Sequence, residues 1–191
     1  MQVKVRIDDP QPIIASLDND EIEIMYHRHY HEHDTYMLFN DPAQGMVRYR
    51  EDDFMDKDGE VDHTRYRLTL IGASHHGEFS TDVLLSRSRY LAPAPQSLRF
   101  YREYFTPDRE IFIEKDRLRW LVKYKDTEFY VNIDRVDQPD LGHFLEVKSR
   151  TWSRNDADRK SELVAELVSF LGASPTETVP QDYTEIVAAA D

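Results

Sequence analysis

Leu141-Gly142-His143-Phe144-Leu145-Glu146-Val147-Lys148-Ser149-Arg150-Thr151-Trp152 reads as a β-strand with two chemically opposite faces. After Phe144 and Leu145, the residues Glu146, Lys148 and Arg150 alternate with Val147, Ser149 and Thr151, which is the period of two that an extended chain imposes. Turned to solvent, the charged face is the ordinary polar side of a half-buried antiparallel sheet. Turned into a closed barrel, it lines a charged cavity.

The same alternation recurs elsewhere with basic residues. Lys4 and Arg6 alternate with Val3, Val5 and Ile7, Arg48 and Arg50 flank Tyr49, Arg65 and Arg67 flank Tyr66, and Lys115, Arg117 and Arg119 are spaced by two. Basic stripes on this many separate strands favour the cavity.

A chain of 191 residues suits one domain with a sizeable core. The absence of cysteine excludes a disulfide framework, a thiolate metal site and a cysteine nucleophile, and it points to a reducing compartment. No apolar segment follows Met1 and no run approaches a membrane span, so a cytoplasmic protein is expected. The net charge of -13 argues against nucleic acid and anionic membranes as partners, since both need a positive surface that releases counterions. The acids crowd loops, as in Asp52, Asp53, Asp56, Asp58, Glu60 and Asp62, whereas the bases sit in strands. Acid outside and base inside is the distribution expected around a pocket for a small polyanion. The oligomeric state stays open, a homodimer included.

Strands are expected at 3–7, 21–30, 34–39, 47–51, 65–71, 110–114, 117–125, 128–136 and 143–151. Helices are expected at 11–17, at 81–89 with Ser80 or Thr81 as cap, at 97–105, and at 156–171 with Gly172 closing the last one. With no βαβ rhythm, the pattern predicts a mainly β (α+β) fold, an eight-stranded antiparallel closed β-barrel with helices packed outside. The domain spans 1–175, and the tail at 176–191 is expected at the periphery.

The order of several short motifs resembles the CYTH superfamily, the triphosphate tunnel metalloenzymes, which include class IV adenylate cyclases, thiamine triphosphatases and tripolyphosphatases. His33-Asp34-Thr35-Tyr36 is similar to that family's Q-x-D-x-Y-F strand, Val47-Arg48-Tyr49-Arg50-Glu51-Asp52 to its L-R-x-R-x-E strand, and Lys115-Asp116-Arg117 to its K-x-R strand. Val131-Asn132-Ile133-Asp134-Arg135-Val136, followed by Leu141-Gly142-His143-Phe144-Leu145-Glu146, is similar to its L-D-x-V and L-G-x-F-x-E pair. The resemblance covers residues 1–172. Three positions depart from it: the opening E-x-E-x-K becomes Gln2-Val3-Lys4-Val5-Arg6-Ile7, T-x-K-G becomes Thr69-Leu70-Ile71-Gly72, and the second acid after Glu146 becomes Lys148.

The resemblance implies a triphosphate substrate, tripolyphosphate or a nucleotide such as ATP, held in the barrel and hydrolysed with Mg²⁺ or Mn²⁺, or cyclised as in class IV cyclases. Arg48, Arg50, Lys115 and Arg117 are the leading phosphate binders, followed by Lys4, Arg6, Arg65, Arg67, Arg119 and Lys148. Arginine suits this task because its planar fork meets phosphate oxygens bidentately. Glu146 and Lys115 are the catalytic candidates, and Glu146, Asp134 and Glu51 the metal-binding acids, because hard divalent ions take carboxylate oxygens. With the first-strand acids lost, a non-catalytic polyphosphate- or nucleotide-binding module is the alternative.

His27, His29, His31 and His33 form a rival constellation, with all four side chains on one face of a strand and Glu32 on the other. An H-x-H pair on a barrel strand is similar to the metal strand of a cupin, with His63 or His143 as the outlying third ligand. The strand tyrosines and tryptophans read as sheet packing.

Overall fold

A computed structural model describes residues 1–72, 89–174 and 177–190. The chain runs β1 (Gln2–Ile7), α1 (Gln11–Ser16), β2 (Ile22–Leu38), β3 (Met46–Met55), β4 (Val61–Ile71), β5 (Arg89–Pro93), α2 (Leu98–Phe105), β6 (Arg109–Tyr124), β7 (Thr127–Gln138), β8 (Gly142–Lys148), α3 (Arg154–Phe170) and α4 (Tyr183–Ala190). All eight strands form one sheet in the order β1-β8-β7-β6-β2-β3-β4-β5, with every neighbouring pair antiparallel.

The expected closed barrel is corrected here: among the described residues no hydrogen-bond ladder joins β1 to β5, so the sheet is not closed by hydrogen bonds. β1 instead finds its second partner in the C-terminal segment, where Thr178 bridges Val5 and Val179 N donates to Lys4 O at 2.8 Å. The helix expected at 81–89 lies outside the described residues up to 88, and from Arg89 the chain is the short edge strand β5.

Two pairs of expected strands are single long ones. Positions 31–33 and 115–116, left between the expected strand bounds, lie inside β2 and β6, where Glu32 and Lys115 are direct cross-strand partners. The turn from β2 to β3 needs Gly45, whose φ is 68° and where an added Cβ would lie 2.2 Å from Ile71 O.

Helices cover the outer face of the sheet in two patches. Val3, Val5, Val122, Phe129, Val131, Leu145 and Val147 pack with Leu17 after α1 and with Val164, Leu167, Val168 and Leu171 of the α3 region. Met37, Val47 and Tyr49 pack under Tyr101 of α2. α3 follows from its sequence, with Ser153 Oγ capping the Asp156 N–H at its start and an apolar stripe along one side.

The inner face is also buried, although α4 is the one helix that packs on it. Tyr36, Met46 and Ile71 share one apolar cluster with Ile113, Val136, Phe144 and Tyr183, so the sheet curls and strands at opposite ends meet over α4. The 176–191 segment, expected at the periphery, thus fills one end of the curl, with Tyr183 6 % exposed. A lone tyrosine after a proline and acid-rich stretch gives no periodicity to read, which is why the sequence hid it. Tyr183→Ala is expected to cost about 3 to 5 kcal/mol in urea unfolding, as for other large-to-small aromatic changes in cores, and Leu167→Ala about 2 to 5 kcal/mol. An unchanged midpoint for Tyr183→Ala would return the tail to the periphery.

Candidate inner-face charge cluster

Alternation along β1 to β4 and β6 to β8 delivers one set of side chains to the inner face. Register carries it across the sheet: Lys4 opposes Glu146, Glu146 opposes Asn132, and Asn132 opposes Arg119. Asp134 opposes Arg117, Lys115 opposes Glu32, Glu32 opposes Asp52, Asp52 opposes Arg65, and Asp34 opposes Arg50, which opposes Arg67. The result is a buried charge network rather than an apolar interior.

Each carboxylate of the network is gripped by bases. Arg50 makes a fork to Asp34, with Nε on Oδ1 and Nη2 on Oδ2, both at 2.5 Å, and its Nη1 lies 2.7 Å from Glu32 Oε1. Lys115 Nζ bridges Asp34 at 2.8 Å and Glu32 at 3.1 Å. Arg117 makes a second fork to Asp134 at 2.5 Å, and its Nη2 reaches Glu146 at 3.0 Å. Lys148 pairs with Glu146 at 2.7 Å, and Arg67 and Arg65 pair with Asp52 at 2.7 and 3.1 Å. At the α4 end the Tyr183 hydroxyl donates to Asp134 at 2.7 Å, while Lys4 donates to the Gln181 carbonyl and lies over the Tyr183 ring. Exposure rises away from α4, from 1 % for the Lys115 side chain to 22 % for Arg67 and 41 % for Arg65. Solvent therefore reaches the cluster from the β3–β4 side.

Most of the expected binders meet on this surface: Lys4, Arg48, Arg50, Arg65, Arg67, Lys115, Arg117, Arg119 and Lys148. Arg6 stands at the open end of β1, donating to Leu141 O at 2.5 Å and stacking over Phe144. Glu51 is not part of the group: it opposes His33 on the outer face, one residue out of phase with Arg50 and Asp52. Sequence reading passed over Glu32 and Asp52 as site acids and took Asp34 only as a motif residue. The signal was the same period of two, Glu32 and Asp34 being in phase with each other and Asp52 with Arg48 and Arg50.

On the strands these nine bases face five carboxylates, Glu32, Asp34, Asp52, Asp134 and Glu146. The five buried bases match the five acids in number, the half-buried Arg65, Arg67, Arg119 and Lys148 are the surplus, and Asp182 and Glu185 of the C-terminal segment also act on Lys4. Among the described residues three buried donors make no hydrogen bond, Arg48 Nε, Arg67 Nε and the Asn132 amide, the first lying 3.7 Å from Asp34 Oδ1. Both Glu32 oxygens and Asp52 Oδ1 accept no hydrogen bond, being held by charge alone. Burial lowers the Arg67 pKa to about 10, with Asp52 opposing that and Arg50 and Arg65 adding to it. Lys4 is also lowered, by burial against the pull of Glu146. Burial by itself would raise the carboxyls, but the surrounding cations outweigh it. Arg117 and Arg50 hold Glu32 well below the carboxylate range, Arg50 and Lys115 do so for Asp34, and Lys148 and Arg117 for Glu146.

Because these folded-state values lie below the unfolded ones, the ion pairs contribute their full stability above about pH 4 and lose it as pH falls through the folded values. The urea midpoint is expected to drop steeply between pH 5 and about pH 2. A midpoint unchanged across that interval would mean that the carboxylates carry no net stabilisation.

No protein-family model and no curated protein matches the chain. Solved structures do. The PH1819 protein from Pyrococcus horikoshii OT3 superposes with TM-score 0.71 over 100 % of this chain and 98 % of its own, at 16 % identity. A Vibrio parahaemolyticus protein described as a "putative adenylate cyclase" gives TM-score 0.62 over 98 % and 97 %, at 14 % identity. A chain of the Schizosaccharomyces pombe Mediator head module gives 0.55 over 88 % and 95 %, at 12 % identity. At these identities the likeness shows the fold alone, and that fold is consistent with the one the motif order implied.

Proposed function

We propose that the inner face binds a triphosphate, inorganic or nucleoside, and hydrolyses it weakly with Mg²⁺ or Mn²⁺. The observation that carries this reading is the basic surplus of the inner face: its buried bases and acids balance five to five, and four further bases, Arg65, Arg67, Arg119 and Lys148, stand half-buried where solvent reaches the cluster. A triphosphate brings about four negative charges and many acceptor oxygens, and it would match that surplus in a surrounding of low polarity. Arg67 and Arg48 are the principal phosphate contacts, since the Nε of each makes no hydrogen bond, although that of Arg48 lies 3.7 Å from Asp34 Oδ1. Arg65, Arg119 and Lys148 extend the contact toward the solvent-reached side. Arg50 and Arg117, forked to Asp34 and Asp134, position the acids and the neighbouring bases and are less available to a ligand.

Glu32 and Asp52 lie opposite each other in the sheet and are the acids that would hold a hard divalent ion, since both Glu32 oxygens and Asp52 Oδ1 accept no hydrogen bond; among the described residues no third inner-face acid joins them within 4.8 Å. Asp134 is a poorer ligand, both its oxygens being taken by Arg117 and one also by Tyr183. When bound, the ion would withdraw charge from the phosphate oxygens. Lys115, between Glu32 and Asp34, stabilises the negative charge that develops during hydrolysis. Cyclisation of ATP uses the same contacts and is separated from hydrolysis by its product.

A second reading, a binding module without catalysis, draws on the ion pairs themselves: all five carboxylates already have basic partners, and Gln2 and Lys4 stand where the resembled family carries acids. The Mediator chain is a reminder that function is not read from this fold.

Tripolyphosphate is expected to raise the melting temperature, and Arg48→Gln and Arg67→Gln are each expected to weaken its binding roughly ten- to a hundredfold in calorimetry, the cost of one charge-assisted contact. Unchanged affinity in both variants would place the anion elsewhere. Phosphate release from tripolyphosphate and ATP is expected with Mg²⁺ or Mn²⁺, is expected to stop with chelator, and is expected to be lost in Glu32→Gln and Asp52→Asn. Tight binding with no phosphate or cyclic nucleotide formed under either metal would replace the hydrolase reading by the binding module.

A further inference from the structure

The histidine ladder of β2 belongs to the outer face, on the other side of the sheet from the charge cluster and between the two helix-covered patches. We propose that its distal half, His31 and His33, forms with Asp53 of β3 a surface site for one divalent transition-metal ion of the zinc class, with Glu114 of β6 as a neighbouring acid.

Register assembles the four residues without any loop. His31 opposes Asp53 across the β2–β3 ladder, and His33 opposes Glu114 across the β2–β6 ladder, so the two imidazoles sit between a carboxylate on each side. One ligand atom from each of His31, His33 and Asp53 lies within 4.8 Å of the other two. Asp53 Oδ2 is 3.6 Å from His33 Nε2, and Glu114 stands beside the trio, its Oε1 3.0 Å from His31 Nε2 and its Oε2 3.8 Å from the other nitrogen of His33, Nδ1. With metal bonds of about 2.0 to 2.2 Å, adjacent ligands of a tetrahedral zinc site lie about 3.3 Å apart, and the separation of Asp53 from His33 is close to that value.

The partners of the two acids separate this group from an ordinary polar stripe. On the inner face every carboxylate is paired with arginine or lysine. Among the described residues Asp53 and Glu114 pair with no lysine or arginine, only with His31 and His33. Thr64 Oγ1 donates to Asp53 Oδ1 at 2.5 Å, which fixes that side chain and leaves Oδ2 toward His33. Two carboxylates would balance a doubly charged ion, and the imidazole nitrogens favour Zn²⁺, Ni²⁺ or Cu²⁺ over Mg²⁺. The side chains keep between 20 and 42 % of their surface, so an ion reaches them from solvent. His27, stacked on Trp120, and His29, paired with Asp116 at 2.5 Å, are engaged elsewhere. This arrangement is not a cupin centre, because it lies outside the sheet and draws its other ligand from a carboxylate.

The test is equilibrium dialysis of the full chain against Zn²⁺ at pH 7.5 with millimolar Mg²⁺ present, so that hard-ion sites are saturated, together with Co²⁺ absorption as a report of tetrahedral geometry. One Zn²⁺ per chain is expected. His31→Ala/His33→Ala is expected to weaken it at least thirtyfold and to remove the Co²⁺ bands, and Asp53→Asn to weaken it several-fold, with melting temperatures measured alongside. His27→Ala is expected to bind as the parent does. Tripolyphosphate affinity, read on the same variants, is expected to stay unchanged, which keeps this test distinct from that of the inner face. Absence of saturable Zn²⁺ binding, or binding that survives the double substitution in a folded protein, would overturn the proposal.

Discussion

The structure depends on the neutralisation of Glu32 and Asp34 by Arg50, Lys115 and Arg117. Carboxylates with almost no exposure are tolerated only when paired, because an isolated buried charge costs several kcal/mol. Here three strands supply the pairing: β2 brings the acids, β3 brings Arg50, and β6 brings Lys115 and Arg117. A slip of one residue in either ladder would turn these partners to opposite faces and strand the charges. The network therefore specifies register for the long central strands, a task usually left to an apolar core.

This dependence explains which parts were legible in the sequence. The basic stripes and the 141–152 alternation located the inner face, and Arg48, Arg50, Lys115, Arg117 and Glu146 all arrive there. The strand bounds nevertheless left out Glu32 and Lys115, although Lys115 already stood in the period-two stripe with Arg117 and Arg119. Each of the two is the other's cross-strand partner, and only pairing across 83 positions of sequence reveals it. Tyr183 was illegible for a related reason, since its burial comes from a curl of the sheet that no local pattern encodes. Closure by hydrogen bonds is absent among the described residues because β1 pairs at its free edge with the tail at Thr178, a segment without a strand signal.

β2 carries different chemistry on its two faces. Glu32 and Asp34 point inward to arginine and lysine, and His29, His31 and His33 point outward to Asp116, Glu114 and Asp53. Acid is matched with strong base inside, and imidazole with acid outside. The pleat keeps these sets apart although they alternate along one backbone, so substitutions on one face leave the ligands of the other in place.

The inner face is more basic than its own acids require, and that surplus is a tension in the folded state. Arg67 and Arg119 have pKa values lowered first by burial and also by neighbouring arginines, so the fold holds cations where they are disfavoured. A sheet selected for stability alone would substitute neutral residues at such positions, because replacing buried charge by well-packed apolar groups is often neutral or stabilising. Keeping the charges makes sense where an anion supplies what the chain lacks. Under the proposed function an anion would stabilise the protein with the logarithm of its concentration over the dissociation constant, and it would offset the repulsion at Arg67 and Arg119.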